Sequence, residues 1–136
     1  MRSIELEERV QYYDTDCGGV VSNIAYLRWV EKARSELFAG LGLSPSDSME
    51  RMLFPAVVRT EIDYRRPARL GETVRIAGAI ESFEKVRVHC RFTLELRSPH
   101  DSRVVAAEAR QTVALVQLPA GRPVRIPEEW QSKIEG

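Results

Sequence analysis

The chain has 136 residues and a mass of 15.5 kDa, which suffices for one domain and leaves no room for a second of ordinary size. Its 20 Lys plus Arg balance 20 Asp plus Glu, and this zero net charge argues against a nucleic-acid or anionic-membrane partner. Two cysteines and no apolar leader predict reduced thiols, no metal site and a cytoplasmic location. The longest nearly apolar run, residues 53–58, is far too short for a membrane span.

The first third of the chain predicts a strand, a loop and a long helix. Ile4, Leu6 and Val10 share one face of an extended segment, which predicts a strand over about residues 4–11. A polar loop with two glycines follows, and Ser22 or Asn23 can cap a helix over about residues 24–39. Its broad apolar stripe predicts a helix covered by something larger than one neighbouring helix. The stripe consists of Tyr26, Leu27, Trp29, Val30, Ala33, Leu37 and Phe38.

The rest of the chain predicts strands, after a short helical turn that begins at residues 44–45. From residue 54 the pattern has a period of two, with one set of apolar residues on a common face. That set is Phe54, Ala56, Val58, Ile62 and Tyr64. Further strands are predicted over residues 73–80, 85–97 and 103–116, with turns at 69–72 and 99–102 and a proline-containing tail ending near Trp130. This order indicates an α+β fold in which one antiparallel sheet carries the helix on a single face.

Two aspartates precede the long helix. Asp14 and Asp16 stand two residues apart, so in an extended segment both would face the same pocket. The adjacent helix N-terminus offers unpaired N–H groups and the positive end of the helix dipole, which suit an oxyanion in acyl transfer. An aspartate beside glycine is also typical of turns and caps, and spacing alone leaves both interpretations open.

The residues around these aspartates resemble a known family. The run YYDTDCGGVV (12–21), with Tyr26, Trp29, Glu31, Ala33 and Arg34, resembles the signature of the 4-hydroxybenzoyl-CoA thioesterase class of hot-dog-fold acyl-CoA thioesterases. Residues 56–64 and 67–70 resemble its second strand and the following turn, and residues 121–127 resemble its basic, proline-containing tail. The resemblance implies a single hot-dog domain over residues 1–136, with a five-stranded antiparallel sheet wrapped around a long central helix.

The resemblance also implies a reaction and a catalytic set. The reaction is hydrolysis of an acyl-CoA thioester to a carboxylic acid and free coenzyme A, without a cofactor. Asp16 would act as nucleophile or as general base, and the sequence does not choose between these routes. A backbone N–H near Asn23 would polarise the thioester oxygen. Gly19 belongs to this catalytic set, and Gly18 would let the acyl group approach the main chain.

Substrate-binding residues follow from the same resemblance. The family commonly forms homodimers or homotetramers, in which Val58, Arg59 and Thr60 of one subunit would line the pocket that holds Asp16 of the other. Lys85 and Arg87 are the nearest matches to the residues that bind the coenzyme A phosphates. Arg122 and Arg125 are further candidates.

Several alternatives remain at this point. Glu31 is a rival catalytic carboxylate, although it is expected instead to pair with Arg34 or Arg28 and orient the helix. Asp14 is expected to hold the loop through backbone hydrogen bonds. A dehydratase would be expected to place a histidine in the active loop, but the first histidine in the chain is His89. A non-catalytic acyl-CoA-binding or scaffold protein is the alternative from another functional class, and the identity of the acyl group stays open.

Overall fold

A computed structural model describes residues 3–97 and 103–135 of the chain. Three helices and six strands follow one another along it. They are β1 (Ser3–Arg9), α1 (Asn23–Ala39), α2 (Pro45–Arg51), β2 (Leu53–Tyr64), β3 (Thr73–Phe83), β4 (Arg87–Arg97), β5 (Arg103–Gln117), β6 (Arg122–Pro123) and α3 (Glu128–Glu135). The predicted turn at residues 99–102 lies outside the described residues. None of the helices within the described ranges is long and apolar enough to cross a membrane.

Five long strands form one antiparallel sheet in the order β1-β3-β4-β5-β2, and the two-residue strand β6 pairs with the end of β5. The predicted α+β hot-dog fold is therefore confirmed. Strands β2 and β3 are consecutive in sequence but lie apart in the sheet, so residues 65–72 cross from one side of it to the other. The strands β1 and β2 are its two edges, because each pairs along its length with only one other long strand.

Helix α1 packs across one face of the sheet, hereafter the inner face. Ser22 caps it by accepting a hydrogen bond from the backbone N–H of Ala25 at 3.4 Å. Most of the predicted apolar stripe is buried, including Trp29 and Phe38, because the curled sheet covers more of the helix than a neighbouring helix would. Leu27 is an exception to the predicted stripe, since 37% of it is exposed.

A β-bulge changes the predicted pattern of strand β2. The pairing with β5 shifts between Val57 and Arg59, so Val58 is an extra residue on the β2 side and is 51% exposed. In an uninterrupted strand, all even-numbered residues would lie on one face of the sheet. Because of the extra residue, even-numbered residues before the bulge lie on the opposite face from those after it. The sequence prediction that Phe54, Ala56 and Val58 share a face with Ile62 and Tyr64 is wrong, because one inserted residue reverses the parity.

The C-terminal tail also differs from its prediction as a proline-containing extension. It ends in helix α3, whose Trp130 is fully buried, with the ring centroid 5.7 Å from that of Phe38 in α1. Ile126 and Ile134 enter the same core. The tail thus covers the core at the C-terminal end of α1, and Trp130 is part of that core.

Candidate functional site

The loop between β1 and α1 contains two short 3-10 turns, Tyr12–Asp14 and Cys17–Gly19. Gly18 and Gly19 both have a positive φ, +85° and +72°, which other residues adopt only with strain. The backbone of Asp16 is fixed on both sides of this turn, because its N–H donates to the Val20 carbonyl at 3.0 Å and its carbonyl accepts from Gly19 at 3.4 Å. The glycine-rich loop therefore has a defined shape.

The crossing segment between β2 and β3 holds this loop in place. The N–H of Val21 donates to the Ala68 carbonyl at 2.8 Å, and that of Leu70 donates to the Gly19 carbonyl at 3.0 Å. The hydroxyl of Tyr26 in α1 accepts from the Ala68 N–H at 2.8 Å. Loop, helix and crossing segment are thus fixed to one another by hydrogen bonds, which keeps the start of α1 next to Asp16.

The two aspartates have different surroundings. Asp14 is 6% exposed, its Oδ2 accepts from the Gln11 N–H at 2.9 Å, and its carbonyl accepts from the Ser22 N–H at 2.9 Å. It holds the loop, as predicted. Asp16 is exposed, and its carboxylate has no hydrogen-bond partner among the described residues. The expectation that both would face one pocket is wrong, because Asp14 ends the turn Tyr12–Asp14 and is buried against Gln11, whereas Asp16 is exposed and neither aspartate lines the cavity at the start of α1.

A cavity of about 200 Å³ adjoins the start of α1. Asn23 and Tyr26 of the helix line it, together with Tyr64 at the end of β2. The N–H of Ala25 donates to Ser22, but those of Asn23 and Ile24 have no acceptor among the described residues, so they can bind a polarised oxygen there. Asp16 is exposed and is not among the residues lining this cavity.

The predicted residues of β2 lie along the exposed edge of the sheet. Val58, Arg59 and Thr60 are all exposed. Arg59 forms an ion pair with Glu61 on the outer face, opposite α1. Thr60 pairs in register with Gln111 and shares the inner face with it.

The predicted phosphate-binding residues come together at one end of the sheet. Lys85 lies in the turn between β3 and β4, and its carbonyl accepts from the N–H of Ile126, which follows Arg125 in the tail. Arg87 begins β4, and Arg122 pairs in β6 with the end of β5. Together, Lys85, Arg87, Arg122 and Arg125 form what we call the basic cluster. All four are exposed, and none forms an ion pair with another side chain in the described ranges.

Within one chain, the basic cluster lies far from Asp16. Arg87 pairs with Ala114, which pairs with Ala56 near the start of β2. The loop carrying Asp16 adjoins the other end of β2, where the ring of Tyr64 contacts Tyr26 at 5.3 Å. Ala56 and Tyr64 are separated by about 26 Å of strand at 3.3 Å per residue.

Other titratable side chains have structural contacts. Glu31 forms an ion pair with Arg34, one of the two partners predicted for it. Burial raises the pKa of the Cys90 thiol to about 12, so this cysteine stays protonated. His89 lies on the outer face, 3.6 Å from Glu84 and 3.3 Å from the Thr112 hydroxyl. Within residues 3–97 and 103–135, no three His, Cys, Asp or Glu side chains converge as a metal site requires.

The sequence prediction missed Gln111, one of three buried polar or charged residues in the described part of the chain. The sequence pattern could have revealed Gln111, because this polar residue interrupts the apolar residues on the inner face of β5. Its amide contacts Arg34 of α1 on one side and Thr60 of β2 on the other.

Residues 10–134 match the family model of the thioesterase-like superfamily. The acyl-CoA thioesterase YbgC of Helicobacter pylori strain 26695 is 32% identical over 133 residues, covering 93% of this chain and 96% of that protein. A Synechocystis protein with an esterase designation is 37% identical over 84 residues, covering 62% of this chain and about half, 51%, of the longer protein. Among solved structures, a variant of 4-hydroxybenzoyl-CoA thioesterase complexed with 4-hydroxybenzoyl-CoA superposes with a TM-score of 0.90, at 18% identity over 98% of this chain and 99% of that one.

Proposed function

Because the chain belongs to the thioesterase-like superfamily, we propose that it hydrolyses an acyl-CoA thioester to a carboxylic acid and free coenzyme A. The observation that carries the proposal is an exposed carboxylate, Asp16, on a loop fixed beside the N-terminus of α1. A nucleophile or base next to unpaired backbone N–H groups is the arrangement that acyl transfer needs. The homologous YbgC of Helicobacter pylori carries the same activity in its name.

Asp16 acts by one of two routes. As nucleophile, its carboxylate oxygen attacks the thioester carbon, the C–S bond breaks, coenzyme A leaves as a thiolate that takes a proton from water, and a second water hydrolyses the resulting anhydride. As general base, it takes a proton from the attacking water and returns it to the departing thiolate. In both routes, the N–H groups near Asn23 stabilise the charge on the carbonyl oxygen, and Gly18 and Gly19 keep the approach free of side chains.

We further propose that the active site forms between two copies of the chain. In the arrangement we propose, the exposed edge of β2 pairs antiparallel with the same edge of a second copy, about a two-fold axis near the bulge at Val58. The start of one β2 then lies next to the end of the other. This brings the basic cluster of the second copy toward Asp16 of the first.

The basic cluster is proposed to bind the coenzyme A phosphates. Four exposed cations without carboxylate partners among the described side chains are free to bind anions, and the segments that carry them, β3–β4 and the tail, adjoin at one end of the sheet. Arg residues bind phosphate oxygens in a bidentate manner, and Lys adds a point charge. Glu84 is directed toward His89 and therefore leaves the cations of the cluster uncompensated.

A panel of acyl-CoA esters tests the reaction, with released thiol followed by a colour reagent. Asp16→Asn is expected to lower kcat by at least about a hundredfold, roughly 3 kcal/mol of transition-state stabilisation, while Tm is unchanged because the replaced side chain is exposed. Glu36→Gln on the exposed side of α1 is the matched control and should retain wild-type rates.

If Glu31→Gln abolishes turnover and Asp16→Asn does not, the carboxylate is misassigned. Binding of every ester without thiol release would favour the non-catalytic acyl-CoA-binding alternative.

A further inference from the structure

The C-terminal tail carries two cations of the basic cluster and then enters the core. Arg122 and Arg125 are exposed, whereas Ile126, Trp130 and Ile134 are buried, with 4% exposure or less. Four residues separate Arg125 from Trp130 along the chain. The same short segment therefore joins a charged surface to the packed interior.

Main-chain hydrogen bonds hold the first part of the tail on the sheet. Arg122 belongs to β6, which pairs with the end of β5 over two residues only. The Val124 N–H donates to the Leu115 carbonyl, and the Ile126 N–H donates to the Lys85 carbonyl, both at 2.8 Å. So short a pairing is marginal by itself, because a few bonds at the end of a strand open easily.

Helix α3 provides the further attachment that the tail needs. Trp130 and Ile134 are four residues apart, so they share one face of α3, and both belong to the core. The Trp130 ring is fully buried, with its centroid 5.7 Å from that of Phe38 near the C-terminal end of α1. With eight residues, α3 is too short to be stable in isolation, so it forms by packing on this core.

Trp130 anchors the tail through its ring and not through its N–H. The indole Nε1 is buried and has no hydrogen-bond partner among residues 3–97 and 103–135. A buried N–H without an acceptor costs stability, so the apolar contacts of the ring supply the attachment. Trp130→Phe therefore keeps an aromatic ring and removes only an unbonded group, whereas Trp130→Ala removes the anchor.

We propose that Trp130 is a positioning residue for coenzyme A binding, because the docking of α3 holds Arg122 and Arg125 in the basic cluster. This inference rests on the proposed phosphate-binding role of that cluster. A cation on an undocked tail occupies many positions, so phosphate binding would then include the entropic cost of ordering it. The docked tail has already lost that freedom on folding. Trp130 is fully buried, so it acts through the two arginines.

Two thioesters of the same acyl group separate positioning from general stability: the acyl-CoA that the wild-type protein hydrolyses best, and the S-acyl-N-acetylcysteamine, which lacks the phosphates. Trp130→Ala should raise KM for the acyl-CoA by about tenfold, as the weakening of one charge-assisted hydrogen bond would. Its kcat, and its KM for the truncated ester, should stay within about twofold of wild type. Trp130→Phe should keep both KM values. Ile76→Ala, which truncates a fully buried side chain of β3, controls for lost stability and should leave the ratio of the two KM values unchanged.

Neutralising the tail cations tests the step through which Trp130 acts. Arg122→Gln with Arg125→Gln should raise KM for the acyl-CoA at least as much as Trp130→Ala does. Adding Trp130→Ala to this pair should cause no further rise, whereas an independent structural effect would add to it. If the arginine pair has no effect, the proposed phosphate site is wrong and the inference falls with it. If the pair has its effect and Trp130→Ala has none, the phosphate site stands and the positioning role is wrong.

Hydrogen exchange in the wild-type protein decides the proposal if Trp130→Ala fails to fold. If coenzyme A binds more tightly when α3 is docked, bound coenzyme A must also favour the docked state, because linked equilibria are reciprocal. Coenzyme A at about ten times its Kd should slow amide exchange in α3 by up to about tenfold, and pantetheine, which has no phosphate, should not. Amides of β1, at the other edge of the sheet, are the internal reference. Equal exchange in α3 with and without bound coenzyme A would overturn the inference.

Discussion

The two edges of the sheet differ in chemistry. Strand β1 places charged side chains along its edge, and each of three glutamates has a cationic partner on a neighbouring element. These pairs are Glu5–Arg75, Glu7–Arg97 and Glu8–Lys32. Strand β2 exposes Val58, Arg59 and Thr60 near its centre, and of these Val58 is apolar.

This difference indicates which edge is available for pairing. Natural sheets block edges with charge, because an incoming strand would have to desolvate those side chains. The edge of β1 is blocked in this way. The edge of β2 carries Pro55, which lacks an N–H and is typical of edge strands, and a charged pair, Arg59–Glu61, but it also exposes the apolar Val58 to 51%. The comparison therefore supports β2 as the edge that joins a second copy.

The largest expected effect comes from a charge at the centre of the β2 edge. Val58→Asp would place two carboxylates close together near the proposed two-fold axis, with little water to screen them. We expect the dimer dissociation constant to rise at least about a hundredfold, since like charges across an interface cost several kcal/mol. Sedimentation velocity over a concentration series measures it, with thiol release followed in parallel. Ser3→Asp on the edge of β1 is the matched control, and equal dissociation by both variants would remove the distinction between the edges.

Mixing two inactive variants tests whether each active site combines residues from two copies that pair through the edge of β2. One variant carries Asp16→Asn, and the other carries Lys85→Glu with Arg87→Glu. Suppose that the carboxylate and the basic cluster of each site come from different copies. A mixed dimer then has both sets of substitutions in one of its two sites, and the other site contains no substitution and is intact. After equal mixing and subunit exchange, about a quarter of wild-type activity should return, because half of the dimers are mixed and each has one intact site. No recovery in a sample shown to contain mixed dimers would mean that each site uses a single chain.

The sequence was sufficient to predict most of the fold. The strands and α1 have strong periodicity, and their predicted ranges differ from the structure by a few residues at the ends. The bulge at Val58 was not predictable from alternation, because an inserted residue becomes visible only when the partner strand is known. Helix α3 was missed because it is short and follows prolines, and its stability comes from Trp130 packing on Phe38.

The candidate site was predictable only in part. Motif resemblance located the loop and the basic residues, and the structure gathers the four cations from separate segments. Sequence spacing did not distinguish the buried Asp14 from the exposed Asp16, because burial of Asp14 depends on how the loop folds back so that its carboxylate accepts from the Gln11 N–H. The chain from Arg34 through Gln111 to Thr60 joins residues far apart in sequence, so only the packing of α1 against the sheet reveals it.

The smallest expected effect concerns the edge of β1. Glu7 and Arg97 lie 3.0 Å apart with both side chains more than half exposed, so their attraction is screened by water. Glu7→Gln should therefore lower the free energy of unfolding by about 0.5 kcal/mol or less, measured by urea titration, and this loss should shrink at high salt. The dimer dissociation constant should stay unchanged, because the proposed contact lies at the other edge. A loss above about 2 kcal/mol would mean that the pair is desolvated, as it would be if the edge of β1 were itself covered by a second copy.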